Sequence, residues 1–420
     1  MPRYNARFVD ETLKRSLQNF GAVIVQGPRA VGKTTTAKQA AASSIRLDSS
    51  PDLPAFAETS PSTIMQGDTP RLIDEWQLAP TIWNAVRHEV DERSGKGHFI
   101  LTGSATPADD ITRHSGAGRF RRILMRPMSL AESNESTRAV SLQTIIEKQP
   151  FSAFGGGPTV EAYAHIIVRG GWPALVTDPT AEATEYLDSY LDDMTRVDLA
   201  ATDQRVDPAR MNALVRALAR NVSSEVTLQK LAAEADVIAP GQGPQDRGTI
   251  RRYLDALERI FVVEEQPAWS THLRSKVRMR VQPKWHFIDP SLAAAALQAS
   301  PTRLVQDLNT FGFLFESLAI RDLRIYAELH RGNVYHYRDE TGLDVDAIIE
   351  FRDGRWIGFE VKMGGTEHIN KAATSLLKLK NKLTEERAAQ NLALVVLTAG
   401  EISHTRNDGV SVISLGHLTA

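Results

Sequence analysis

The sequence predicts an α/β protein in three parts: a parallel sheet around a phosphate-binding loop, an α-rich middle, and a second α/β domain at the C-terminal end. Three observations carry that prediction. An apolar run at 21–25 leads directly into a Gly-rich loop and a helix-compatible stretch. Helical apolar spacing dominates residues 182–260. Alternating apolar and acidic positions then return at 343–350 and 356–362. Bulk properties agree. At ~150 residues per domain, 420 residues make two to three domains. A content of 42% hydrophobic and 24% charged residues excludes wholesale disorder. The absence of cysteine excludes disulfides, thiolate zinc sites and cysteine nucleophiles. No apolar run reaches the ~18 residues of a membrane span, and the N-terminal segment lacks a signal peptide's apolar stretch. A cytoplasmic location without membrane association is therefore expected. The net charge is −2, from 49 Lys+Arg and 51 Asp+Glu, so nucleic-acid binding would rest on local basic patches.

Gly27-Pro28-Arg29-Ala30-Val31-Gly32-Lys33-Thr34 fits G-x-x-x-x-G-K-[ST], and Thr35 opens the helix-compatible stretch that follows. The two glycines let backbone N–H groups turn inward around phosphate oxygens. Lys33 supplies a cation for the β- and γ-phosphates, Thr34 a hydroxyl for Mg²⁺, and the helix N-terminus its positive dipole end. ATP with Mg²⁺ is the expected ligand. Arg71-Leu72-Ile73-Asp74-Glu75 ends a short apolar run in two carboxylates. Asp74 would join the Mg²⁺ shell and Glu75 would polarise the attacking water. His98–Ser104 reads as another buried strand, with Ser104, or secondarily Thr102, placed to sense the γ-phosphate or orient water.

Residues 111–126 hold Arg113, Arg119, Arg121, Arg122 and Arg126 with no acidic residue. Arg119 is the candidate finger for transition-state charge, in cis or from a neighbouring subunit of a homo-oligomer. A solvated or DNA-facing basic loop stays open as the other reading.

These motifs together are familiar. Gly-Pro-Arg-x-x-Gly-Lys-Thr-Thr (27–35), Ile-Asp-Glu-Trp-Gln (73–77), Leu-Thr-Gly-Ser (101–104), Gly-Arg-Phe (118–120), Arg-Pro-Met-Ser-Leu-x-Glu (126–132) and Gly170-Gly171-Trp172-Pro173 resemble a prokaryotic ATPase family. That family has an AAA-type N-terminal domain and a C-terminal domain of unknown function 4143. The resemblance covers nearly the whole chain and implies an AAA-type parallel-sheet ATPase domain and a C-terminal domain like a restriction endonuclease. Trp76 departs from the Ile or Val expected after Asp-Glu and leaves the carboxylates in place.

In the middle, Ser152–Pro158 reads as a linker, which sets expected domains at 1–150, 156–270 and 271–420. Helices are expected at 182–199, 210–220, from 224 and at 249–260, followed by a β-type run at 261–265. Three helices and a β-ribbon describe a winged helix, with Arg247, Arg251 and Arg252 opening the recognition helix. Such a module reads DNA or serves as a lid or protein contact. Arg274, Lys276, Arg278 and Arg280, with Lys284 beyond, would line one face of a strand. That face suits a phosphate backbone or is a charged edge strand.

In the last third, Glu316 lies on a helix at 311–326. At 343–350 Asp344, Asp346 and Glu350 should point away from Leu343, Val345, Ala347 and Ile349, and at 356–362 Glu360 and Lys362 share a face. Asp followed by Glu-x-Lys on adjacent strands is the pattern of the PD-(D/E)xK nucleases, which the family resemblance also implies. Val345 stands where the naming proline would be. Asp346 and Glu360 would bind Mg²⁺, Glu316 would complete the shell, and Lys362 would position or deprotonate the water. The expected function is Mg-ATP turnover coupled to nucleic-acid binding or metal-dependent DNA cleavage. The alternative is a nucleotide-controlled switch whose C-terminal site is an inactive partner-binding module.

Overall fold

The structure is a computed structural model that describes residues 4–105, 116–178, 182–195, 207–239, 246–271 and 281–420. It divides into two compact units, one built mainly on the chain up to Arg126, the other on 127–192, 207–253 and 263–420.

The first unit is a five-stranded parallel sheet. Its strands are β1 (Ala22–Gln26), β2 (Ser43–Arg46), β3 (Arg71–Asp74), β4 (Phe99–Gly103) and β5 (Phe120–Leu124), in the order β2-β3-β4-β1-β5. β3 and β4 are buried at every position, as is β1 up to Val25. They therefore read as unbroken apolar runs, as strands covered on both faces must. Ala22, Ile24, Ile73, Phe99 and Leu101 pack from one face against Trp76, Ile82, Trp83 and Val86. β5 is an edge strand, and its exposed Arg121 and Arg122 keep that edge from pairing. Because all five strands run the same way, Gln26, Arg46, Asp74, Gly103 and Leu124 end at one rim.

In the second unit, β6 is Val140–Ser141, β7 Ala153–Phe154, β8 Val263–Gln266 and β9 Lys284–Phe287. The remaining strands are β10 (Asn333–Arg338), β11 (Asp344–Glu350), β12 (Trp356–Lys362), β13 (Asn391–Thr398), β14 (Ile402–Thr405), β15 (Ser411–Ser414) and β16 (Leu418–Thr419). A seven-stranded mixed sheet has the order β10-β11-β12-β13-β15-β14-β7, while β6 pairs with β16 and β8 with β9. Trp269, Val345, Ile348, Trp356, Leu376, Leu379, Leu394 and Val396 form one buried apolar cluster of this unit. The long helix Leu308–Leu329 is buried over most of its length. Helices Pro208–Arg220, Leu228–Ile238 and Arg247–Arg259 precede the β8–β9 ribbon in the expected order. Asp207 and Thr227 cap the first two by accepting from their early N–H groups.

Several expectations are corrected. The stretch 152–158 is no free linker: β7 lies inside it and pairs with β14 as the sheet's edge. The compact units part at 126/127, not near 155. At β11, a register shift breaks the alternation, so Val345 and Ile348 share one cluster despite opposite parity. Glu350 bonds to Arg387 and does not join the other acids. The helix Thr366–Lys382 ends at Leu383, and Thr384 caps a second helix, Glu385–Ala389.

Candidate functional site

At the rim of the parallel sheet, β1 delivers the chain into the loop 27–32 and the helix Lys33–Ala40. A Cβ on Gly27 would lie 2.3 Å from the Met125 carbonyl oxygen, and Gly32 sits at φ 95°. Both positions therefore demand glycine. Lys33 is buried, and its Nζ donates to the carbonyls of Gly27 at 3.0 Å and Pro28 at 2.7 Å. Arg29, Ala30 and Thr35 are exposed along the loop, while Pro28 and Val31 are buried.

Asp74 closes β3 and is 1% exposed. Its Oδ1 accepts from Thr34 Oγ1 at 2.7 Å and from Thr102 Oγ1. Its Oδ2 is buried and receives no hydrogen bond, though the half-exposed Arg46 reaches within 3.4 Å. A hydroxyl next to an acid oxygen with an open lone pair is the donor set that holds Mg²⁺ through hard oxygens, so the residues fit that ion. Glu75 adopts φ 58°, a left-handed conformation costing on the order of 1–3 kcal/mol and concentrated at functional sites. Gln77 Nε2 donates to its carboxylate, and Ser104 Oγ lies 3.5 Å from it. The structure thus brings the loop, Asp74, Glu75 and Ser104 together.

It does not bring Arg119 to them. Arg119 precedes β5, whose first residue pairs with Ala22 at the start of β1, a strand length of roughly 13 Å from the loop's rim. There its guanidinium donates to Asp91 at 2.7 Å. As a finger within its own chain, Arg119 is ruled out by this placement. Arg7, by contrast, sits beside the loop, donating to the carbonyls of Val31 at 3.1 Å and Arg126 at 2.7 Å.

In the second unit, β11, β12 and the helix Leu308–Leu329 do bring Asp346, Glu360, Lys362 and Glu316 together. Lys362 Nζ lies 3.0 Å from Asp346 Oδ2 and 2.7 Å from Glu360 Oε2. The Val361 N–H also donates to Asp346 Oδ2 at 2.8 Å. A further cation enters from β9. Lys284, 4% exposed, places Nζ 3.3 Å from Glu316, 3.7 Å from Asp346 and 3.7 Å from Asp344. The expectation of Lys284 on a basic outer face is therefore corrected.

Burial works against both ammonium groups, but the surrounding carboxylates outweigh it and hold their pKa values above the ordinary lysine range. Burial raises Glu316 and Glu360 instead, and the two lysines hold Asp346 down against its own burial. Two lysines thus face three carboxylates, of which Asp346 is held down while Glu316 and Glu360 are pushed up. None of the buried unpartnered atoms belongs to Glu316, Asp346 or Glu360. Mg²⁺ does not fit this cluster as it stands.

Arg247, Arg251 and Arg252 are exposed on their helix; Arg247 donates to Gln229, and Arg251 lies 3.1 Å from Glu265. Arg113, Arg274, Lys276, Arg278 and Arg280 lie outside the described residues.

Residues 19–134 match the AAA domain family, and 311–418 match domain of unknown function 4143. The chain thus carries an AAA-type domain near its N-terminal end and a DUF4143 domain toward its C-terminal end. Between these, residues 160–303 match a second domain of unknown function, 8612. Uncharacterized proteins of Mycobacterium tuberculosis and Mycobacterium bovis are each 25% identical over 370 residues, 87% of this chain and 75% of their own length. Among solved structures, the Aeropyrum pernix ORC1 protein in complex with DNA is 9% identical, covering 73% of this chain and 97% of its own, at a TM-score of 0.26. At that score the likeness is too loose to bear on function. Among the described residues no helix is long and apolar enough to cross a membrane.

Sequence reasoning missed Arg7, Arg46 and Gln77 around the AAA domain's loop and misplaced Lys284 relative to the DUF4143 acids. Gln77 was legible, since it follows the Asp-Glu pair by two positions. The others act across long sequence separations that no local pattern marks.

Proposed function

We propose that this AAA-type chain hydrolyses Mg-ATP and couples turnover to nucleic-acid binding, with its nuclease-like C-terminal domain serving to bind rather than cut. The single observation that carries the ATPase half is the Thr34–Asp74 bond beside the open Asp74 Oδ2. Thr34 and Asp74 would hold Mg²⁺, which when bound supplies charge neutralisation for the β- and γ-phosphate oxygens. The loop's N–H groups and the helix N-terminus cradle the phosphates. Lys33 exchanges its two carbonyl partners for phosphate oxygen. Glu75, oriented by Gln77 and Ser104, accepts the proton of the attacking water. Ser104 is placed to report on the γ-phosphate. Any arginine finger from Arg119 comes from a neighbouring copy in a homo-oligomer.

For the C-terminal domain, the pairing of Asp346, Glu360 and Glu316 with Lys284 and Lys362 supports binding without cleavage. Exposed Arg247, Arg251 and Arg252, on a helix in winged-helix order, support contact with a phosphate backbone. The second reading, a nucleotide-controlled switch acting on a partner protein, gains from Arg247 and Arg251 being engaged with Gln229 and Glu265.

The test is ATP turnover with and without duplex DNA at low salt, beside a nicking assay with Mg²⁺ or Mn²⁺. The parent should show DNA-stimulated turnover, and neither the parent nor Asp346→Ala or Glu360→Ala should nick. Nicking by the parent that either substitution abolishes would overturn the non-cleaving assignment. If DNA neither binds nor alters turnover, the switch reading replaces nucleic-acid coupling.

A further inference from the structure

Beside the lysine-filled cluster, three side chains converge that each hold one buried polar atom making no hydrogen bond. Glu225 Oε1, His336 Nδ1 and Asp344 Oδ1 are each buried without a hydrogen-bond partner. One ligand atom from each of the three lies within 4.8 Å of the others. His336 is fully buried, and its other nitrogen, Nε2, lies 3.1 Å from the Gln282 carbonyl. A carbonyl only accepts, so Nε2 carries the ring proton and Nδ1 presents a bare lone pair. Burial, with Lys284 nearby, pushes the imidazole down to about 3, so it needs no deprotonation to act as a ligand.

The backbone holds the three positions in place. Glu225 is bridged to Lys284 on β9, while the His336 N–H donates to the Pro267 carbonyl and the His336 carbonyl accepts from the Trp269 N–H. Asp344 is registered against Arg338 across the β10–β11 pair. Lys284 addresses Asp344 through Oδ2, which leaves Oδ1 for another partner. Arg338 stands 3.7 Å from Glu225 Oε1 and, being half exposed, can swing into solvent. Burial raises the Glu225 carboxyl, and the Asp344 charge adds to that. A cation placed between the two acids relieves both effects.

We propose that Glu225, His336 and Asp344 form a binding site for one divalent transition-metal ion of the zinc class. One imidazole and two carboxylates suit a four-coordinate ion with its last position open to water or a ligand. Asp344, whose side chain is 40% exposed, gives the ion its route from solvent. The site shares no ligand with the Asp346–Glu360 pair and does not depend on whether the domain binds nucleic acid.

Equilibrium dialysis of the full chain against Zn²⁺ without nucleotide tests this, with Co²⁺ as the spectroscopic probe. The parent should retain about one equivalent of Zn²⁺ and give a Co²⁺ visible spectrum of mixed nitrogen and oxygen ligation. Affinity should fall at least tenfold, roughly, in His336→Gln, in Glu225→Gln and in Asp344→Asn. Asp344→Asn alters a part-exposed side chain and keeps the test valid should His336→Gln misfold. Failure of the parent to retain Zn²⁺, or retention unchanged in Glu225→Gln and Asp344→Asn, overturns the proposal.

Discussion

The nucleotide loop and the C-terminal acidic cluster contain the same chemical parts, carboxylates beside a lysine, and use them in opposite ways. In the loop, Lys33 donates to two backbone carbonyls, and Asp74 keeps one buried oxygen without a hydrogen. In the cluster, Lys284 and Lys362 lie against one oxygen of Glu316, both of Asp346 and one of Glu360. The first arrangement waits for a dication and a polyanion. The second is already neutralised from within. Residue inventory alone would assign metal to both; unsatisfied lone pairs separate them, because a buried acceptor without a partner is costly unless a ligand completes it.

The largest effect that could break this contrast lies in the loop. Glu75→Gln should lower ATP turnover by about 10²–10⁴-fold while retaining nucleotide, since only the proton acceptor is lost. Lys33→Ala should lower it by at least about 10²-fold and weaken nucleotide binding as well. Steady-state phosphate release beside calorimetric ATP binding distinguishes the two; full activity in either variant would remove the loop from catalysis.

Next in size is Lys284→Met, which strips the cluster of a buried counter-ion. It should cost about 3–5 kcal/mol, read from urea melts, because carboxylates are left facing one another. Burial raises Glu316 in the folded chain, so the folded state holds a proton that the unfolded state has released. Stability from that proton is gained as pH falls into the window above the unfolded glutamate value, and is lost as pH rises through the folded one. The destabilisation should therefore be greatest in alkaline buffer and shrink toward acid. A loss independent of pH would mean that Lys284 acts through packing alone.

The smallest effect is expected at Arg119. Arg119→Ala in dilute, monomeric protein should leave kcat unchanged, since its guanidinium lies at the far end of β5 on Asp91. A fall in kcat that grows with protein concentration would place that arginine in a neighbour's loop.

The parallel sheet was legible because its strands are unbroken apolar runs with the motif at their rim, so local pattern and tertiary role coincide. Asp346, Glu360 and Lys362 were legible as neighbours through strand phase and spacing, and Glu316 as an acid on the helix ahead of them. Three features were not. Lys284 looked like the tail of a basic ribbon, since nothing nearby records that Glu316 and Asp346 will surround it. Glu350 was misplaced because the shift between Tyr335 and Tyr337 changes phase where the sequence shows only alternation. His336 carries no local mark at all, because its bare nitrogen is created by a carbonyl 54 residues away.

The strand at Ala153–Phe154 has a practical consequence for anyone dividing the chain. A C-terminal fragment started after the glycine stretch would discard β7 and leave β14 with an open rim carrying half-exposed Ile402. It would also discard β6, which pairs with Leu418, and Ser136, whose hydroxyl donates to the Leu418 carbonyl at 2.8 Å. Such a fragment invites edge-to-edge association between its own copies, whereas a cut at 126/127 keeps the whole seam closed.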